Sequence, residues 1–391
     1  MIKMQQTMRW FGPQDTNSLE DLKQAGITGI VTALHQIPVG ETWTVDEIKK
    51  RQNTIKKAGL EWTVIESLPV HEDIKKRSGN YKKYIENYSI SIKNIAKCGI
   101  KVITYNFMPI LDWVRTDHAF KNTDGTEALL FNKLAFIYFD VFLLERPNAK
   151  NDFTNDEIQK AFTYGNALSE TEKKSLFRNA LLGLPGSDEA FTKEQVLSLL
   201  EGYHHINDEK LRENLILFLR KVAPVAQEFG VKLAIHPDDP PFSVVGLPRI
   251  LCTQNDIQKI FEAVPLSANG LCFCVGSLGA NPTNDLLQII DDFGDRIHFL
   301  HLRNIIREDE NIFRESAHLS GDKPMAKIIE KLILLMNEQK QPLPMRPDHG
   351  FLHTIEKNKK SYPGYSLVGR LKGLAELSGL ETGIIYQLSK K

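Results

Sequence analysis

A (β/α)8 TIM barrel is the fold class this chain predicts, on three observations. Eight short, apolar, β-rich runs recur along the 391 residues. Amphipathic stretches separate most of them, and several of those stretches stop at a glycine, the residue that most readily closes a helix. Other doubly wound α/β folds share the alternation, so the count of eight selects the barrel. Hydrophobic residues make up 42% of the chain and charged residues 25%, ample for one large core.

The runs fall in order. TMRWFG (7–12) is followed by the helical SLEDLKQAG, and GIVTAL (29–34) by TVDEIKKRQNTIKKAG. EWTVIES (61–67) comes next, and YIENYSISIKNIAKCG leads into KVITYNF (101–107). ENLILFLRKVAPVAQEFG leads into KLAIH (232–236), and LCFCVG (271–276), IHFLHLR (297–303) and LPMRPD (343–348) complete the set. Between about 116 and 203 the pattern is charged and periodic and no strand is needed. That segment reads as a helical insertion after strand 4, over or beside the barrel mouth, within a single domain spanning 1–391.

Composition removes several function classes. Lys plus Arg and Asp plus Glu number 49 each, so the basic excess of a nucleic-acid binder is missing. No apolar stretch approaches the roughly 18 residues needed to span a bilayer. The opening MIKMQQTMRWFG lacks the apolar centre of a secretory signal. Cys98, Cys252, Cys272 and Cys274 are too few for a disulfide scaffold and suit a reducing compartment. The expectation is a cytoplasmic protein with no nucleic-acid or membrane partner; association into a homo-oligomer stays open.

In such a barrel the chemistry lies at the carboxyl ends of the strands. Strand 5 ends at His236, strand 6 contains Cys274, strand 7 runs into His301, and strand 8 ends in Asp348 and His349. Side chains alternate along a strand. Cys272 therefore shares a face with Cys274, Phe299 with His301 and Arg303, and Arg346 with Asp348. One choice of face brings His236, Cys274, His301 and Asp348 to matching heights on four successive strands. Taken singly, each has an ordinary reading: a hydrogen-bonding histidine, a small buried cysteine, a turn-forming aspartate. Their joint placement is what points to a metal. Two imidazoles, a carboxylate and a thiolate suit Mn, Fe, Co or Zn better than Ca or Mg. Four protein ligands leave positions open on a six-coordinate ion, as a Lewis acid requires. In AIHPDDPP, a ligand is then followed by a stiff turn whose aspartates orient the shell.

Around the same mouth lie Arg9 and Trp10 on strand 1, His35 after strand 2, and Glu66 and His71 after strand 3. Asn106, Asp112 and Arg115 follow strand 4. Together they make the mouth polar and suited to a small, hydroxylated, charged molecule. Arg9, Trp10, Asn106 and Arg303 are the expected substrate contacts.

TMRWFGPQD, GIVTALHQIPVGETW, VIESLPVHEDIK, YNFMPILDWVRT, GLPG, AIHPDDPP, FCVGSLG, HLRN, RPDHG and PGYSLVGRLKGLAEL run in this order from Thr7 to beyond Leu380. This series closely resembles the mannonate dehydratase family of the hexuronate-degrading type. The resemblance implies a xylose-isomerase-like barrel. It also implies dehydration of D-mannonate to 2-dehydro-3-deoxy-D-gluconate with Mn²⁺ or Fe²⁺, in glucuronate catabolism. On matching positions the family's metal ligands fall on His236, Cys274, His301 and Asp348, the four that spacing selects. Its catalytic pair falls on His349 and, in PGY, on Tyr365. The chain departs from the family pattern at Phe351 and through 352–361.

Three rivals are weaker. A sugar isomerase or epimerase of the same barrel group leans on carboxylate ligands, and the thiolate argues against it. A metal-dependent nuclease would want several metals and a basic face. A carbohydrate-binding barrel without chemistry would have no use for the ligand set together with His349.

Overall fold

The structure, a computed structural model, describes residues 1–183 and 191–390. Eight parallel strands close into a barrel. They are β1 (Gln5–Arg9), β2 (Gly29–Thr32), β3 (Glu61–Glu66), β4 (Val102–Tyr105), β7 (Lys232–Ile235), β8 (Asn269–Cys274), β9 (Ile297–His301) and β12 (Pro344–Arg346). Four others, β5 (Asp117–Lys121), β6 (Glu127–Asn132), β10 (Asn304–Arg307) and β11 (Ile312–Ser316), form a separate antiparallel sheet in the order β10-β11-β6-β5. Around the barrel the order is β1-β12-β9-β8-β7-β4-β3-β2, each strand beside its chain neighbour in the barrel, and β12 closes onto β1 through Gln5–Pro344.

The barrel strands read as nearly unbroken apolar runs because both faces are covered. Inside, Val31, Val64, Val102, Ala234, Cys272 and Phe299 fill the bore. Outside, strand residues such as Ile30, Ile65, Ile103 and Leu233 pack against the surrounding helices. Capping explains where several helices begin: Ser18 and Thr253 form reciprocal capping boxes, and Thr44, Asn207 and Ser366 accept from first-turn amides. The glycines expected to stop helices do so in the left-handed region, with φ of +83° at Gly26, +74° at Gly59, +82° at Gly99 and +64° at Gly230.

The 116–203 segment differs from the purely helical expectation. It opens with the β5–β6 hairpin and only then becomes helical, over Lys133–Tyr138, Asn155–Asn166, Glu170–Ala180 and Lys193–Glu201. Residues 184–190, which hold all of GLPG but Gly183, lie outside the described residues. The hairpin exists because β6 pairs with β11, a strand from the loop after β9, through Phe131–Phe313. Two loops of the barrel mouth thus share one sheet. An aromatic cluster of Phe131, Phe136, Phe139 and Phe313 anchors it. Among the described residues no helix is long and apolar enough to cross a membrane.

Candidate metal centre and active-site cleft

Strand register assembles the site. Cys274 at the end of β8 lies beside His301 at the end of β9, which in turn lies beside Arg346 of β12. His236 follows β7 directly, its amide donating to the Tyr105 carbonyl at 2.7 Å. Ligand atoms of His236, Cys274 and His301 all lie within 4.8 Å of one another. Asp348, two residues beyond β12, adopts φ +67°. Its Oδ2 comes to 3.8 Å from Cys274 Sγ and 3.9 Å from His301 Nδ1.

The local chemistry favours anionic donors. Burial pushes both cysteines of β8 up, but their surroundings differ. Cys272, one layer down, faces Glu66 and stays well above the ordinary thiol range. At Cys274 the Arg303 charge and hydrogen bonds from His236 and His301 overcome burial and hold the thiol well below that range. Burial likewise disfavours the Asp348 carboxylate, yet Arg346, His349, His301 and Arg303 keep it ionised. His236 is pushed up to about 9 against its own burial by Cys274, Asp348 and Glu66, which marks a negative centre suited to a cation. Its Nδ1 lies 2.7 Å from the Pro237 carbonyl, an arrangement that leaves Nε2 for a metal. Donor identity, ionisation and proximity all fit a divalent transition metal.

Buried guanidinium groups tie this centre to a layer of carboxylates. Arg303 donates from Nε to Asp348 Oδ2 at 2.7 Å, from NH1 to Glu315 Oε1 at 3.1 Å, and from NH2 to Asp239 and to Ser277 Oγ. Arg115 grips Asp239 with two bonds of 2.6 and 3.0 Å. Arg346 donates to His301 Nε2 at 3.0 Å, to Glu66 Oε1 at 2.8 Å and to Asp348 Oδ1. The turn after His236 is thereby explained. Asp239 anchors two arginines, while Asp238 accepts from the Ile250 and Leu251 amides at 2.6 and 2.9 Å and holds the following loop.

Above the centre is a cleft of ≈ 210 Å³ lined by Arg9, Asn106, Asp112, Trp113, His349 and Tyr365, among others. His349 and Tyr365 meet edge to face with ring centroids 5.0 Å apart. Burial raises the Tyr365 phenol more than Arg346 lowers it. Arg9 NH1 is 3.4 Å from Glu66 Oε2, and its Nε has no hydrogen-bond partner among the described residues.

One expected contact is corrected. Trp10 does not line the cleft; it packs in the main core beneath the Arg51 guanidinium. Neighbouring residues on a strand face opposite ways, so Arg9 toward the cleft puts Trp10 outward. Arg303 does border the cleft, but its donors are committed to three carboxylates and Ser277, so it supports the site from beneath. His71 lies elsewhere, capping the helix Glu72–Lys76. His35 stacks on Phe11 and is pushed by burial down to about 3. Sequence reasoning missed Glu315, whose Oε1 lies 2.5 Å from His349 Nδ1. IFRES, two apolar residues followed by three polar ones, has no period-two alternation that would have signalled it.

A family model described as D-mannonate dehydratase (UxuA) matches residues 4–391. The chain belongs to the D-mannonate dehydratase family. A mannonate dehydratase from Marinomonas sp. (strain MWYL1) is 46% identical over 389 residues, covering 97% of this chain and 99% of that relative. The crystal structure of mannonate dehydratase from Streptococcus suis serotype 2 is similar with a TM-score of 0.78 at 33% identity, covering 99% of this chain and 95% of that one. A xylose isomerase-like TIM barrel protein from Mycobacterium smegmatis shares the fold alone, with a TM-score of 0.53 at 12% identity over 98% of this chain and 97% of that one. The fold is therefore a xylose-isomerase-like TIM barrel, and the chain is a hydro-lyase of this family.

Proposed function

We propose that the chain dehydrates D-mannonate to 2-dehydro-3-deoxy-D-gluconate, with Mn²⁺ or Fe²⁺ held by His236, Cys274, His301 and Asp348. The observation that carries this reading is the cluster of His236, Cys274 and His301 ligand atoms within 4.8 Å, beside a cleft that His236 lines together with Asp348, His349 and Tyr365. A divalent ion bound there supplies positive charge beside the substrate carboxylate, which offsets the charge that builds up when the C2 proton leaves.

The remaining work falls to the chain's own residues. Arg9, with a free Nε donor, and Asn106 bind and orient the sugar acid from the cleft wall. His349 takes the proton from C2. Tyr365, kept protonated by its surroundings, gives its proton to the C3 hydroxyl as the C3–O bond breaks and water leaves. The C2–C3 enol that remains tautomerises to the 2-keto acid. We further infer that the reaction belongs to cytoplasmic hexuronate catabolism, and that 116–203 is an insertion within a single domain.

The test uses two variants with metal content checked. His349→Asn and Tyr365→Phe should each bind metal normally and lose about 10²–10⁴-fold in kcat, the usual contribution of acid–base catalysis. If wild type exchanges the C2 hydrogen of D-mannonate with solvent deuterium, His349→Asn should abolish that exchange and Tyr365→Phe should leave it running. Near wild-type kcat in either variant removes that residue from the mechanism.

A further inference from the structure

Behind His349, on the side away from the cleft, lies a carboxylate that the mechanism above does not use. Glu315 sits on β11, outside the barrel, with its side chain only 5% exposed. Its Oε1 lies 2.5 Å from His349 Nδ1 and accepts from Arg303 NH1 at 3.1 Å. Arg115 NH2 stands 3.6 Å away. Two buried guanidinium groups on one carboxylate keep it ionised, and an ionised carboxylate can only accept. Nδ1 of His349 must therefore carry a hydrogen. In the neutral ring the lone pair is then on Nε2, the nitrogen 3.7 Å from Asp348 Oδ1 at the metal centre.

We propose that Glu315 is the positioning residue of the proton-transfer machinery: through its bond to Nδ1 it holds the His349 ring in place and in the tautomer whose Nε2 accepts the C2 proton. The proposal rests on the reading that His349 moves that proton. Glu315 itself touches neither cleft nor substrate, and it stabilises the imidazolium that forms when Nε2 is protonated. The placement also gives the second sheet a role. The β6–β11 pairing ties the loop after β9 to the loop after β4, and so fixes Glu315 behind His349 on a paired strand.

The decisive experiment is a double-mutant cycle on the metal-loaded protein, with Glu315→Gln, His349→Asn and the pair. Glutamine keeps the shape and loses the charge. Oε1 carries the contacts to His349, Arg303 and Arg115 alike, so the glutamine oxygen can stay on all three donors while the charge that stabilises the imidazolium is lost. Glu315→Gln should lower kcat by about 10²-fold or more while KM and metal content change by less than about threefold. Added to His349→Asn, it should lower kcat by less than about threefold further, because a residue that acts only through His349 has nothing left to act on. Wild-type kcat in Glu315→Gln overturns the proposal, as does a full multiplicative loss in the His349→Asn background. Loss of metal or of the folded state in Glu315→Gln also overturns it, since the carboxylate would then serve Arg303 and Arg115 instead. If His349→Asn alone keeps its activity, the underlying reading of His349 fails first.

Discussion

Replacing Arg303 by methionine isolates what the buried arginine layer does. The side chain is 3% exposed and bonded to Asp348, Glu315, Asp239 and Ser277. Methionine fills much of the volume and leaves three carboxylates short of a partner. Breaking a buried pair by deleting one member costs about 3–5 kcal/mol. Asp239 keeps Arg115 and Asp348 keeps Arg346, so the loss belongs in that range and not at three times it. A second effect reaches the metal. Arg303 is the foremost charge holding the Cys274 thiol down against its burial, so the thiol pKa must rise in the variant. Each pH unit by which it comes to exceed the assay pH costs about tenfold in apparent metal affinity, because the ligand must deprotonate first. The assay is a urea unfolding curve together with metal titrations across pH 6–9. We expect a destabilised variant whose metal affinity climbs with pH more steeply than that of wild type. Stability within about 1 kcal/mol of wild type, with unchanged metal affinity and a raised KM, would refute this reasoning and return Arg303 to the substrate contacts.

Cys274→Ser should weaken binding of thiophilic metals most, since a hydroxyl replaces a thiolate poorly; calorimetry with Zn²⁺ and Mn²⁺ compares them, and unchanged metal content and activity after mild chelation would make Cys274 a core residue only. Gly350→Ala would drive a Cβ into the backbone of Gly369 and Arg370, so the turn carrying His349 must move; kcat should fall by more than about tenfold with the metal retained, read from steady-state kinetics and metal analysis. His298 is buried neutral, its ring pushed by burial down to about 3. Below about pH 6.5 only the unfolded chain gains this proton, so the stability it contributes is present above pH 6.5 and is lost toward pH 3, by up to about 1.4 kcal/mol per pH unit; His298→Gln should flatten that part of an unfolding-midpoint profile.

Much of this site is legible in the sequence because a parallel barrel imposes simple rules. Short apolar strands covered on both sides stand out, and their carboxyl ends are where chemistry must lie. The rule that places Cys274 above Cys272 in the bore also places Trp10 away from the cleft, and applying it to Arg9-Trp10 separates the two without a structure. The second sheet is less legible for a physical reason. β6 and β11 are six- and five-residue strands that exist by pairing with each other across the chain, through Phe131 and Phe313, and neither has a strong local signal. Glu315 was hidden with them. Arg346 and Asp239 show a different limit. A spacing argument places their backbones near the mouth, but their roles depend on which buried charges face them.

The central claim is that one divalent ion on His236, Cys274, His301 and Asp348 serves the dehydration of D-mannonate. Its most direct test is keto-acid formation by metal-free protein titrated with Mn²⁺ or Fe²⁺. The account predicts negligible activity without metal, rising in proportion to bound ion and saturating at one per chain. Full activity in the rigorously metal-free protein, or no keto acid at one bound ion per chain, would contradict it.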